Sequence, residues 1–254
     1  MKDLLFALKS GFGWLSTIPV GISMEGIDAL MRHVYVFPII GLVLGTIFGA
    51  VAFIAGRALP TSLIAIIIII IIYKLCGINH IDGLADFGDG MIAHGTIEKK
   101  IQAMKDVNIG TGGVVFISVM LLSLFALISN MPTGLLPLAL IVSEISAKQS
   151  MIAFATFSKS LQKGFGQIMI EKTGRREFII GLTIAAVFCA AVLGPLGIIM
   201  LMGSQIAAIY VAQVAERNFG GATGDGIGAT NEVCRAIALA AAIIFGGIVP
   251  WTLW

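Results

Sequence analysis

The sequence predicts an all-α, polytopic integral membrane protein: a helical bundle of about seven transmembrane helices, N-terminus in the cytoplasm, forming one catalytic domain over residues 1–254. Three observations carry this. Of the 254 residues, 58% are hydrophobic and 12% charged, against an apolar share of about 45–50% in soluble domains. Mean hydropathy is +1.02. Several stretches are long enough to cross roughly 30 Å of hydrocarbon, which takes about 20 apolar residues in a helix, and the basic residues gather in alternate loops.

Before the first span, Met1–Val20 reads as a retained amphipathic segment at the interface, because Lys9, glycines and Pro19 interrupt its apolar run and no small-residue cleavage pattern follows. Spans are expected near 35–56, 61–76, 110–129, 134–157, 178–194, 196–216 and 236–254, with Gly194-Pro195 as the hinge between the fifth and sixth. Within the first, Gly41, Gly45 and Gly49 recur every four residues, a face that closes a helix pair within one chain or between two. The run Ile64–Ile72, isoleucine throughout except for Ala65, is expected to face lipid. Glu144 and Lys148 sit four apart inside the fourth span. Isolated, each would cost about 2.5–3.5 kcal/mol at the bilayer centre. Either they neutralise one another along the helix, or Lys148 meets a phosphate in a polar cavity.

Charge placement gives an orientation, since basic residues concentrate in cytoplasmic loops. Lys2, Lys9 and Arg32 precede the first span; Lys74, Lys99, Lys100 and Lys105 follow the second. Lys159, Lys163, Lys172, Arg175 and Arg176 follow the fourth, and Arg217 and Arg235 the sixth. The opposite side carries Arg57. A multi-pass protein of the plasma membrane with its chemistry facing the cytoplasm is expected. A net charge of +2, spread over loops without interleaved aromatic platforms, gives no basis for nucleic-acid binding. Cys76, Cys189 and Cys234 are isolated, with neither zinc spacing nor an even number for disulfides.

The chemistry is concentrated in His80–Gly90 (HIDGLADFGDG), which sets Asp82, Asp86 and Asp89 at i, i+4 and i+7. On a helix they fall inside an arc of roughly 60° and are expected to converge on one point. Ionised carboxylates that close need a compensating cation or raised pKa values. A hard divalent ion such as Mg²⁺, which takes oxygen ligands from carboxylates and phosphates, is the natural partner. A solvated acidic loop is the plainer alternative.

Two further segments are rich in glycine. Gly220–Glu232 holds Asp225 and Glu232 seven apart, on one helical face, among small residues that let a phosphate or a neighbouring helix come close. Met104–Gly113 places Lys105, Asp106 and Asn108 just before a span, where a helix N-terminus suits a phosphate; capping by Asn108 or Thr111 is the structural alternative.

In this order, Trp14–Val20 (WLSTIPV), Val36–Gly41 (VFPIIG), His80–Gly90, Met104–Gly113 and Gly220–Ala229 (GGATGDGIGA) resemble the cobalamin synthase family, the membrane-bound adenosylcobinamide-GDP ribazoletransferases, along the whole chain. Gly88 stands where many relatives have alanine and Phe87 where threonine is frequent, and neither departure removes a carboxylate. The resemblance implies a transferase of vitamin B12 assembly in which a ribose hydroxyl of α-ribazole, or of its 5′-phosphate, displaces GMP from adenosylcobinamide-GDP. Such a displacement needs charge neutralisation and in-line positioning more than covalent help. On this reading Asp82, Asp86 and Asp89 hold Mg²⁺ and act catalytically with Asp225. His80, Lys105, Asp106, Asn108 and Glu232 contact substrate, and other nucleotide-loop assembly enzymes are potential partners beside the lipid bilayer. Two other classes compete. A CDP-alcohol phosphotransferase also clusters aspartates, but its pattern needs Ala-Arg, and this chain has no arginine from Leu75 to Gln102. An ion-coupled transporter would place acids at mid-membrane on repeated halves.

Overall fold

The computed structural model describes residues 2–161 and 165–251; Lys163 and the last three positions of the seventh expected span lie outside the described residues. Eleven α-helices are present among the described residues, with a 3-10 turn at Val34–Val36 and a single extended bridge, Ser160 to Ala222. The expected all-α membrane bundle is what the chain forms.

The N-terminal pair is α1 (Lys2–Leu15) and α2 (Met24–Arg32). α1 exposes Leu4, Leu5 and Phe6 and buries Ala7, Ser10, Gly11 and Leu15, the two-sided pattern of a helix at an interface. α3 (Phe37–Ala55) then packs along its glycine stripe. A Cβ on Gly41 would lie 2.6 Å from the Glu144 carbonyl, one on Gly45 2.8 Å from the Ile141 Cα, and one on Gly49 2.5 Å from the Pro137 carbonyl. The stripe therefore closes a helix pair within one chain, against α8 (Leu136–Thr156).

α4 (Thr61–Cys76) buries Ile64, Ala65, Ile68 and Ile72 and exposes Leu63, Ile66 and Ile70. The isoleucine run faces lipid on one side only; its other side packs on α3 and on α7 (Thr111–Ser129). Gly77, at φ +72°, ends α4, and the chain bends by 95° into α5 (Asn79–Ile92). A positive φ of this kind is open to glycine at little cost. α5 runs across the ends of two spans: a Cβ on Gly83 would lie 2.9 Å from the Asp225 carbonyl in the first turn of α11 (Gly224–Phe245), and one on Gly112 2.5 Å from the Gly88 carbonyl at the start of α7. α5 thus lies outside the membrane-crossing segments. The short α6 (Ile97–Met104) and α9 (Phe165–Lys172) lie at the same end, α6 against α5 and α9 against the N-terminal pair and α11.

Five helices, α3, α7, α8, α10 (Arg175–Phe219) and α11, are long and apolar enough to cross a membrane, and α4, bent by 95° from α5 at its end, makes a sixth. α10 leaves helical geometry at Leu193 and Gly194, just before Pro195. A Cβ on Gly197 would collide with the Cys189 carbonyl, although residues eight apart in one straight helix are separated by about 12 Å. The chain doubles back at the expected hinge, so α10 supplies two arms, which brings the six helical crossings among the described residues to seven. The seventh span begins earlier than hydropathy places it, at Gly224 rather than near 236. Glycines and charges in its first half lower the hydropathy, yet Gly226, Gly228, Glu232 and Arg235 are packed inside the bundle.

That shift changes the charge count. Arg235, expected in a cytoplasmic loop, is fully buried in mid-helix. Its Nε donates to Glu144 Oε1 and its Nη1 to Glu232 Oε2 at 2.6 Å. Tyr73 donates to Glu232 Oε2 at 3.0 Å and the Asn231 amide to Glu232 Oε1 at 2.9 Å. Lys148 donates to Asn231 Oδ1 at 2.7 Å and lies 3.5 Å from Glu144 Oε2. The Glu144–Lys148 pair is thus half of a network of two cations and two anions joining α4, α8 and α11. Removing one member strands a buried charge, which costs about 3–5 kcal/mol. Arg235→Ala should therefore cut the yield and thermal midpoint of detergent-solubilised protein sharply. Arg57→Ala, which removes an exposed guanidinium 4.2 Å above the Phe53 ring, should stay within about 0.5 kcal/mol of wild type. Equal melting of the two variants would contradict a structural role for the network.

Candidate active site

α5 carries its acids along a stripe, and α11 meets that stripe through its first turn. Asp82 and Asp86 from α5, Asp225 from α11, and Lys105, Asp106 and Ile109 from the segment before α7 line one cavity of about 420 Å³. The close approach rests on Gly83, where any side chain would strike the backbone of Asp225. Asp225 is held by the helix start itself. Thr223 is the N-cap, accepting from the Gly226 N–H at 3.4 Å while its hydroxyl donates to Asp225 Oδ2 at 3.2 Å. An acid in the first turn also suits the helix dipole.

Asp89 does not join this convergence. Seven residues along a helix is a displacement of about 10.5 Å, so a shared arc produces a stripe rather than a point. Asp89 is buried, and both its oxygens are taken: Oδ2 accepts from the Gly110 N–H at 2.8 Å and Oδ1 from the Gly113 N–H at 2.9 Å. It caps α7. The helix N-terminus expected to receive a phosphate is therefore occupied by the protein's own carboxylate, and neither Asn108 nor Thr111 does the capping. Asp106 Oδ1 accepts from the backbone and side-chain amides of Asn108 at 2.9 and 3.0 Å, and these bonds hold its carboxyl below the usual range. Lys105 is exposed on the cavity rim.

Glu232 is likewise displaced from its expected place beside substrate. Its carboxylate is 1% exposed and bound to Arg235, Tyr73 and Asn231. The seven-residue spacing from Asp225 carries it about 10.5 Å deeper along α11. Its neighbour in the fold is the charge network.

His80 opens the other side of the site. It lines a second cavity of about 370 Å³ together with Trp14, Asn79 and Met151, and this cavity shares Asp82 and Asp225 with the first. Trp14, Asn79 and Met151 were not singled out as site residues in the sequence. Trp14 stood inside a family motif, while for Met151, on a buried face of α8, no local signal marks the position. The departures from the family pattern are also accounted for: Phe87 packs edge-on against Phe219 with centroids 5.2 Å apart, and a Cβ on Gly88 would strike the Phe116 ring.

The gathering of like charges bears on Asp86. Partial burial first, then the charges of Asp225, Asp82 and Asp89, push its carboxyl up to about 7. Among the described residues no three His, Cys, Asp or Glu side chains form a ready metal cage. Mg²⁺ takes one or two carboxylates and completes its shell with phosphate oxygens and water, so the carboxylate oxygens this cavity offers fit an ion that arrives with a phosphate ligand. Without metal, the raised Asp86 pKa favours the neutral acid in the folded state. The corresponding stability is fully present below about pH 4, the unfolded value, and is lost as pH rises through about 7. In chelator, the thermal midpoint of wild type should therefore fall relative to that of Asp86→Asn over this range; parallel curves would contradict the like-charge cluster.

A family profile described as cobalamin-5-phosphate synthase matches residues 7–243. An adenosylcobinamide-GDP ribazoletransferase of Methanosarcina barkeri is 43% identical, with 94% of this chain and 92% of the relative covered. One from Methanosarcina mazei is 41% identical over the same shares, and one from the bacterium Caldanaerobacter subterraneus is 30% identical, with 94% of this chain and 96% of the relative covered. No solved structure matches. The chain belongs to the cobalamin-5-phosphate synthase family.

Proposed function

We propose that this chain joins α-ribazole, or its 5′-phosphate, to adenosylcobinamide-GDP, releasing GMP and forming the nucleotide loop of a cobalamin, with Mg²⁺ held at the cytoplasmic face of the plasma membrane. The observation that carries the reading is the convergence of Asp82, Asp86 and Asp225 on one cavity rimmed by Lys105. Displacement at a diphosphate builds negative charge on phosphate oxygens and the leaving group, and the protein's task is to neutralise it and hold the reactants in line. These carboxylates would hold Mg²⁺, which would supply that neutralisation.

Asp82, Asp86 and Asp225 are the residues that would hold the ion; Asp89 acts one step away, fixing the start of α7 and with it the segment carrying Lys105 and Asp106. Lys105 offers the cavity a compact positive charge suited to a phosphate oxygen. The cytoplasmic orientation is supported by where the basic loops attach. Lys100 donates to Asn218 at 2.7 Å, Lys159 pairs with Glu216 at 3.8 Å and Lys172 with Asp28 at 3.0 Å. All belong to the end of the bundle that carries α5, whereas Arg57 follows α3 at the other end.

Substitution separates the two kinds of acid. Asp86→Asn and Asp225→Asn should leave folded, membrane-inserted protein and lower GMP release by about 100-fold or more, the scale of losing one electrostatic stabiliser of the transition state. Asp89→Ala should instead lower stability by roughly 0.5–2 kcal/mol, the cost of a lost cap, read as a lower thermal midpoint. Full transfer by Asp86→Asn would overturn the site.

A further inference from the structure

Asp82 and Asp225 form a partition. On one side lies the polar cavity with Lys105; on the other lies the cavity of about 370 Å³, whose character is different. Trp14, Met151 and Ile227 give it apolar walls, and its polar groups lie where His80 approaches the two carboxylates. A volume of this size stands at the small end of ligand pockets, roughly 300–1,000 Å³. It suits a nucleoside and is far too small for a corrin macrocycle.

Two side chains in it are set up for a ligand. The Trp14 indole is half-buried and fixed edge-on by Phe37, with ring centroids 5.9 Å apart and planes at 62°. An aromatic surface pinned in this way is a platform for a flat base, whose stacking needs no hydrogen-bond code. His80 is 9% exposed, and its Nδ1 is sealed from solvent without a partner. Buried polar groups are rarely left so, and each instance calls for an explanation. An imidazole ring can offer one nitrogen as donor and the other as acceptor. That pairing matches sugar hydroxyls, which both donate and accept.

We propose that this second cavity is the subsite of the nucleoside partner, with the flat base of α-ribazole along Trp14 and its ribose held by His80 so that a hydroxyl reaches the carboxylate partition from the side opposite the diphosphate. The assignment rests on the transferase reading above. In the step it serves, the hydroxyl oxygen bonds to the phosphorus that carries the corrinoid. The bond from that phosphorus to the bridging oxygen breaks, GMP leaves with the bridging oxygen and its electron pair, and the hydroxyl proton passes to a partition carboxylate. His80 is a positioning residue in this scheme.

Equilibrium dialysis of α-ribazole against the detergent-solubilised protein, and the KM of each substrate, test the assignment. Trp14→Ala should weaken α-ribazole binding and raise its KM by about tenfold, the scale of one lost base stack, while the KM for adenosylcobinamide-GDP stays within about twofold. His80→Ala should raise the KM for α-ribazole and lower kcat, and Trp14→Phe should recover most of the binding, which guards against a folding defect in Trp14→Ala. Effects that fall on adenosylcobinamide-GDP, or equally on both substrates, overturn the subsite while leaving the transfer reading intact. Wild type that binds α-ribazole in a Trp14-dependent way but releases no GMP supports the subsite and overturns the transfer reading instead.

Discussion

Charge buried in a low-dielectric interior has to be paired, and that constraint organises this molecule. Glu144 and Lys148 on α8 and Glu232 and Arg235 on α11 neutralise one another inside the bundle, and Tyr73 ties α4 into the same network. Uncompensated, any of these charges would oppose insertion; together they fix the relative positions of three helices. Two of those helices lead directly to the site. α4 passes through Gly77 into α5, which carries Asp82 and Asp86, and α11 opens with Asp225. The network that makes the interior tolerable therefore sets the spacing of the carboxylates at the surface.

Glycine supplies the second half of that geometry. Gly83 lets α5 lie against the first turn of α11, and Gly228 lets α11 lie against the backbone of His80. Backbones this close bring acids from two helices to one cavity. At the other end of α5, Gly110 and Gly113 leave room for the Asp89 carboxylate, so the same helix that lines the acidic cavity also anchors α7. One acidic stripe thus divides its work: its N-terminal part faces a cavity, and its C-terminal part caps a helix.

The bundle was legible in the sequence because hydropathy and chain length report directly on burial in lipid. The reversal at Gly194-Pro195 followed from local residue chemistry as well. The division of labour among the acids was not legible. Asp89 is taken up by amides 21 and 24 residues further on, and nothing in its own neighbourhood distinguishes it from Asp86. Arg235 looked like a loop charge because its partner Glu144 lies 91 residues away, and Glu232, expected beside substrate, pairs with that same Arg235 instead; hydropathy penalises such residues one at a time and cannot credit their pairing. Trp14 and His80 share a cavity only because the N-terminal helix folds back beside the bend between α4 and α5.

The central claim, that carboxylates from α5 and α11 hold a divalent ion against a diphosphate, is tested most directly by following GMP release. Purified protein would be given adenosylcobinamide-GDP and α-ribazole, first with Mg²⁺ and then with excess chelator. The account predicts release matched one for one by cobalamin formation and lost on chelation, with recovery when Mg²⁺ is restored. Release that continues undiminished in chelator would contradict it.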